Sequence, residues 1–226
     1  MRVAIIPARG GSKRIKRKNI KLFNNKPIIY WTIKELKKSK FFDLIIVSSD
    51  DDKILALCKR YKVDIAIKRP QHLSNDTATT KSVILHAISY LLKNNIKAKI
   101  IGCFYPCNPF LMTADISKSL RLLKKNQSAF IFSVSKYSHP IQRALIIKNC
   151  KVTYLNKENK DKNTQDFLDT YYDCGHFYMG NAEAWKKNFD NVFNLAVEIP
   201  YYRAVDIDNV EDWKKAEYFY KISKIK

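Results

Sequence analysis

Four consecutive apolar residues, Val3, Ala4, Ile5 and Ile6, stand near the start of the chain with no polar residue between them. A strand with one wet face alternates apolar with polar, whereas an unbroken run marks a strand covered on both faces, as in a parallel sheet. Pro7 then ends the ladder. The next segments keep the same logic. Pro27 sits at the first turn of a helix whose inner face is Ile28, Trp31 or Thr32, and Leu36. Residues 44–47 read as a second strand, Ser48, Ser49 and Asp50 as a turn, and Ile54, Leu55, Cys58 and Tyr61 as the buried face of the next helix. Residues 63–67 give a third strand. Strand, helix, strand, helix, strand with right-handed crossovers predicts an α/β fold with a doubly wound, mostly parallel sheet.

The alternation continues through a helix facing inward with Val83, Ile84, Ala87, Ile88 and Leu91, a fourth strand at 98–104, a helix over 114–125 capped by Thr113, and a fifth strand at 128–135. Beyond that it stops. Residues 141–147 and 152–155 read as two strands joined by Lys148-Asn-Cys-Lys151, and 157–165 is polar and expected to be mobile. A hairpin added to an α/β domain has to bury its apolar face, and a second subunit is the economical place. We therefore expect one domain over 1–226, with 136–170 as an inserted hairpin for dimerisation, and a homodimer. An aromatic strand at 170–179, a short helix over 182–187, strands at 195–199 and 202–207, and a helix capped by Asn209 with Asp212 three residues later complete the chain. Trp213, Ala216 and Tyr220 give that last helix its inner face.

The stretch after Pro7 is the chemically informative one. Arg9, Gly10, Gly11, Ser12, Lys13, Arg14, Lys16, Arg17 and Lys18 include no acidic residue, so the loop calls for an anion. Gly10 and Gly11 let backbone N–H groups approach a ligand closely, Ser12 adds a hydroxyl, Arg9 can fork onto two phosphate oxygens, and Lys13 and Lys18 act as point charges. The spacing is not that of a P-loop. A solvated basic loop or a nucleic-acid patch is the alternative reading, and the formal charge of +21 would favour it if the charge were clustered. Outside this loop, however, the lysines are scattered over helix ends and turns, and lysine far outnumbers the arginine that base readout prefers. No specific nucleic-acid partner is expected. Nor is a membrane, since no apolar run approaches a span and the first is too short for a signal peptide, which makes a cytoplasmic protein the expectation. Five cysteines without a C-x-x-C pair read as reduced and structural.

At the other end, Asp206-Ile-Asp208 places two carboxylates on one side of an extended segment with Ile207 pointing into the core. Paired carboxylates facing a phosphate loop suit Mg²⁺, which takes one or two protein carboxylates and completes its shell with water and phosphate. Capping of the last helix is the competing role for Asp208. Among the histidines, only His176 lies among polar and aromatic residues, in Tyr171-Tyr-Asp-Cys-Gly-His-Phe-Tyr178. The strand ends of a doubly wound sheet are where these loops can converge.

Taken together, Ala8-Arg-Gly-Gly-Ser-Lys13 with Lys18-Asn19, the stretch Arg69-Pro70 to Asp76-Thr-Ala78, and Asp206-Ile-Asp208 resemble the cytidylyltransferases that activate nonulosonic (sialic-type) acids, over nearly the whole chain. The resemblance implies a Rossmann-like nucleotidyltransferase that transfers CMP from CTP to the anomeric hydroxyl of a nonulosonic acid, with release of pyrophosphate. It implies Arg9, Ser12, Lys13, Lys18 and Asn19 holding the triphosphate, Arg69, Ala78 and Thr80 framing the cytosine, and Gly10, Gly11 and Asp76 as further nucleotide-binding residues. It implies Mg²⁺ on Asp206 and Asp208, with Arg9, Lys13 and Lys18 as the catalytic cations. Tyr105-Pro-Cys-Asn108 departs from the glutamine-proline-threonine-serine loop of sialic-acid members, a difference that concerns the sugar. The segment 171–178 resembles that of pseudaminic acid cytidylyltransferases, which implies pseudaminic acid as the sugar, bound by Tyr105, Asn108, Tyr172, Asp173 and His176. Cys174 and His176 replace the alanine and glutamine of that pattern, so legionaminic, N-acetylneuraminic or another ulosonic acid remains an alternative.

Overall fold

The computed structural model describes residues 1–223. In chain order its elements are β1 (Arg2–Pro7), β2 (Leu22–Phe23), β3 (Lys26–Pro27), α1 (Ile28–Ser39), β4 (Leu44–Ser49), α2 (Asp52–Arg60), β5 (Ile65–Lys68), α3 (Thr80–Lys93), β6 (Ile100–Phe104), α4 (Thr113–Lys125), β7 (Phe130–Lys136), β8 (Leu145–Lys148), β9 (Lys151–Tyr154), β10 (Tyr171–Gly180), α5 (Ala182–Lys186), β11 (Asn194–Glu198) and α6 (Val210–Ile222). Seven strands form one sheet in the order β11-β7-β10-β6-β1-β4-β5. All neighbours run parallel except β10, which is antiparallel to both β6 and β7. The doubly wound, mostly parallel sheet expected from the sequence is the fold.

The period of two along β1 divides the core. Ala4 and Ile6 face Ile29, Ile33 and Leu36 of α1, Ile54 and Cys58 of α2, and Ile116 and Leu123 of α4. Val3 and Ile5 face Ile84, Ala87, Ile88 and Leu91 of α3 and Trp185 of α5 on the opposite side. A third cluster packs Trp213, Ala216 and Tyr220 of α6 on Phe23, Ile28, Ile15 and Ile207. It fastens both the basic loop, through Ile15, and the Asp206-Ile-Asp208 segment, through Ile207, to one floor.

Three local expectations are corrected. Thr113 is the first residue of α4 rather than its cap. Met112 occupies the cap position without a side-chain bond, and the Glu35 carboxylate of α1 accepts from both Thr113 N and Oγ1 at 2.7 Å. The N-terminal N–H is thus satisfied from another helix. Residues 202–207 do not form a strand: a turn follows Pro200, Val205 N still bonds Arg203 O, and residues 204–208 pair with no strand of the sheet. Ile141–Arg143 is a 3-10 turn, so the hairpin begins only at Leu145. Its turn does fall at Asn149 and Cys150, both with positive φ (50° and 62°), as a two-residue type I′ connection requires. The polar segment after it holds two 3-10 turns, Lys157–Asn159 and Thr164–Asp166.

Candidate active site

The C-terminal ends of β1, β5 and β6 open into a cleft of about 500 Å³, closed on the far side by β10 and by residues 205–208. Crevices at this edge are where such sheets bind ligands. Arg9, Ser12, Lys13, Lys18, Asn19, Arg69, Asp76, Ala78, Thr80, Tyr105, Asn108, Asp173, His176, Asp206 and Asp208 all line it. Gly10, Gly11 and Tyr172 do not.

Gly10 serves the shape of the loop. Its N–H donates to Asp50 Oδ1 at 3.0 Å, and a Cβ there would lie 2.7 Å from Asp51 Oδ2 and 2.8 Å from Asp51 Cβ, closer than any side chain tolerates. Gly11 meets nothing within 4 Å. Asp51 in turn caps α2 through Lys53 N and Ile54 N and holds Arg17, a residue at φ 55°, by an ion pair of 2.6 Å. Burial opposes the ionised form of Asp51, yet the Arg17 and backbone bonds together hold its pKa below the ordinary value. Asn19 is buried and acts as a brace: Nδ2 donates to Arg9 O at 2.7 Å, and Oδ1 accepts from Cys107 Sγ at 3.1 Å. Burial pushes the Cys107 thiol up to about 12, so it stays protonated.

The cations that sequence leaves unbalanced are balanced across the cleft. Asp76 accepts from Arg9 Nη1 at 2.8 Å and from Lys13 Nζ at 2.6 Å, and these two cations, Lys13 foremost, lower its pKa. Asp208 lies 3.0 Å from Arg14 Nη2 and 3.4 Å from Lys18 Nζ, and Lys18 also donates to Ile207 O at 2.6 Å. The pairs of Arg9, Lys13 and Arg14 are open to solvent, which screens them and leaves each one weak, while Lys18 is part-buried. An incoming polyanion can exchange them.

Asp206 faces the cleft beside Asp208. The surrounding walls raise its pKa, the Asp208 charge adds to the rise, and Lys18 opposes it. Capping falls to Asn209, whose side chain accepts from Asp212 N while the Asp212 carboxylate accepts from Asn209 N. Asp208 is therefore free of the helix-cap role. Two hard oxygen donors with mutual repulsion, opposite a cationic loop, fit a divalent cation that completes its shell with substrate and water.

On the opposite wall, Arg69 is buried with Nη2 3.5 Å from Asp50 and its Nε unpaired; burial lowers its pKa against the pull of Asp50. Thr80 Oγ1 and Tyr105 Oη share a hydrogen bond of 2.7 Å. His176 is buried with neither ring nitrogen bonded, and burial, reinforced by Arg203, lowers its pKa to about 3. It is a neutral imidazole at physiological pH. Asn108 is buried with Oδ1 unpaired. Tyr172 instead packs on Tyr137, ring centroids 5.0 Å apart, and joins the core cluster of α1 and α4. A bulge between Asp173 and Tyr178, built on Gly175 at φ 64°, changes which side chains face the cleft and brings Tyr178 into it. Tyr178 and Arg14 line the cleft and Asp50 supports it through Gly10 N and Arg69, three residues that motif reading did not select. The Asp50-Asp51 pair directly after a buried strand was the available signal for the last. No described helix is long and apolar enough to cross a membrane.

Comparison with known proteins gives a consistent answer. A family model described as cytidylyltransferase matches residues 3–226. The pseudaminic acid cytidylyltransferase of Campylobacter jejuni is 34% identical over 225 residues, covering 98% of this chain and 97% of that protein. The N-acylneuraminate cytidylyltransferase of Escherichia coli is 26% identical over 219 residues, 95% of this chain and 51% of that protein. In fold, a CMP:2-keto-3-deoxy-manno-octonic acid synthetase solved with CTP superposes at a TM-score of 0.73 with 12% identity, covering 99% of this chain and 100% of that one.

Proposed function

This chain belongs to the cytidylyltransferase family, and on that premise we propose that it transfers CMP from CTP to the anomeric hydroxyl of pseudaminic acid, releasing pyrophosphate. The observation that carries the reading is the exchange-ready pairing of Arg9 and Lys13 with Asp76, and of Lys18 with Asp208, inside one cleft. In this reading the triphosphate replaces Asp76 on Arg9 and Lys13, while Ser12 adds a hydroxyl donor. Arg69, Ala78 and Thr80 border the cytosine. Asp206 and Asp208 hold Mg²⁺, which when bound neutralises phosphate charge and orients the α-phosphorus. Lys18, already against Asp208, and Lys13 are placed to offset charge building on the departing pyrophosphate, so catalysis is chiefly positioning and electrostatics. Tyr105, Asn108, Asp173 and His176 form the sugar side. Cys174 is buried in the core and does not line the cleft, whereas His176 does.

Pyrophosphate release from CTP is expected only when a nonulosonic acid is present. Lys13→Ala is expected to lower it by about 10²–10³, the cost of one charge contact made in the transition state, at an unchanged melting temperature, since Lys13 is an exposed loop residue. Near wild-type turnover in the variant would remove Lys13 from the phosphate site.

We also propose a homodimer through β8 and β9. All but one of the hairpin's residues are exposed, including Leu145, Ile146, Ile147 and Val152, and an isolated two-stranded hairpin is marginal in water. Light scattering should give twice the chain mass, and Ile147→Asp should halve it; a monomeric wild type would reject the interface.

A further inference from the structure

The basic loop is already occupied by a carboxylate from another segment. Asp76 lies between β5 and α3, and its two oxygens are divided between two cations: Oδ1 accepts from Arg9 Nη1 at 2.8 Å and Oδ2 from Lys13 Nζ at 2.6 Å. Arg9 Nη1 also donates to Asn75 O at 3.1 Å. A carboxylate that spans two cations in this way offers them the pair of anionic oxygens that a phosphate offers. All four residues line the cleft.

The fold does not require this contact. The side chains of Lys13 and Asp76 are 82% and 52% exposed, and an ion pair so placed adds little to stability. Nor does the segment depend on it for its shape. Asn75 Oδ1 accepts from Ala78 N at 2.9 Å and from Thr77 Oγ1 at 3.0 Å, a turn closed within the segment itself, and Thr79 caps α3 by accepting from Ser82 N. Asp208, the carboxylate that takes Arg14 and Lys18, has a metal role beside Asp206 in the reading above; Asp76 is given none. A ligand that reaches Arg9 and Lys13 must take both from Asp76, and one that ends short of them need not.

We propose that Asp76 is a specificity-determining residue that competes with the β- and γ-phosphates for Arg9 and Lys13, holding down the affinity for free pyrophosphate and so favouring its release once CMP has been transferred. This rests on the proposed placement of the triphosphate on Arg9 and Lys13. CTP meets the same competition but has its base and ribose to hold it. Pyrophosphate, once cut from them, does not, and Asp76 can recapture both cations as it leaves.

The test is calorimetric: dissociation constants of pyrophosphate, CTP and CMP for the full chain at one fixed magnesium concentration, in wild type, Asp76→Asn, Lys13→Ala and the double variant. Asparagine keeps the shape of Asp76 and removes its charge. We expect Asp76→Asn to bind pyrophosphate and CTP about three- to tenfold more tightly, the scale of two exposed ion pairs, and to leave CMP, which lacks the β- and γ-phosphates, unmoved. The gain should shrink in the Lys13→Ala background, where one of the two pairs is already gone. An equal gain for CMP, or a gain undiminished without Lys13, would make Asp76 a diffuse repulsive charge and overturn the competition. Unchanged or weaker pyrophosphate binding in Asp76→Asn would overturn it as well. Pyrophosphate binding by Lys13→Ala equal to that of wild type would instead overturn the phosphate placement, and the inference with it.

Discussion

Asp206→Asn and Asp208→Asn should each remove magnesium-dependent turnover, by about 10³-fold or more, given the several kcal/mol that a bound metal contributes to transition-state charge stabilisation. Asparagine keeps the shape of either side chain and takes away the charge that holds a cation. The backbone here is secured elsewhere: Ile207 is buried under α6, and the cap of that helix is made by Asn209 and Asp212. Both variants should therefore fold. The two differ in one respect. Asp208 also holds Arg14 and Lys18, so its neutralisation leaves two cations to the cleft, and Asp208→Asn should bind CTP without metal at least as well as wild type. Asp206 is not the partner of either cation and should lack that compensation. Turnover measured across a magnesium titration, with melting curves alongside, checks both. Wild-type rates at low and high magnesium alike would take the two aspartates out of the metal site.

Much of this was legible from residue order, because the governing forces are local. The unbroken run of β1 required cover on both faces and received it, Val3 and Ile5 against α3, Ala4 and Ile6 against α1. The Asn209–Asp212 capping box depends on four residues and appears where the sequence puts it. What could not be read depends on distance through space. Nothing in the basic loop reveals that Asp76, Asp208 and Asp51 will meet its cations from three other segments. Thr113 looks like a cap until Glu35 arrives from α1. Parity is the subtler failure. Alternation along β10 treats Tyr172 and Tyr178 as equivalent, but the bulge at Gly175 shifts the register between them, so one tyrosine goes to the core side and the other to the cleft. Residues 204–208 show the converse. They form no ladder, yet Val205 and Ile207 are buried under α6 while the alternating Asp206 and Asp208 line the cleft, because burial of the apolar residues is enough to set the alternation.

Pseudaminic acid should be the preferred acceptor, with kcat/KM exceeding that for N-acetylneuraminic acid by a factor on the order of 10⁴, the upper range for sites that read specific polar groups. Two buried residues of the cleft, His176 and Asn108, hold polar atoms that lack partners. Both ring nitrogens of His176 and the Oδ1 of Asn108 are buried and unbonded, and each such atom costs about 1–3 kcal/mol unless a ligand satisfies it. Held neutral, with its pKa lowered to about 3, His176 offers one donor and one acceptor rather than a charge. That combination matches an acylamino group, which carries an N–H and a carbonyl, better than a row of hydroxyls. The segment 171–178 also lacks the arginine of the arginine-proline-asparagine-glycine segment that sialic-acid members carry at this point. An acceptor that leaves His176 and Asn108 unpaired keeps their desolvation cost in the transition state. Legionaminic acid, which shares two acylamino groups with pseudaminic acid but not its stereochemistry, should fall between the two. The comparison is kcat/KM for the three acids at saturating CTP, followed by pyrophosphate release. Preference for either of the other acids would reject the sugar assignment while leaving CMP transfer intact, and loss of discrimination in His176→Ala, with CTP affinity unchanged, would locate the reading head at that imidazole.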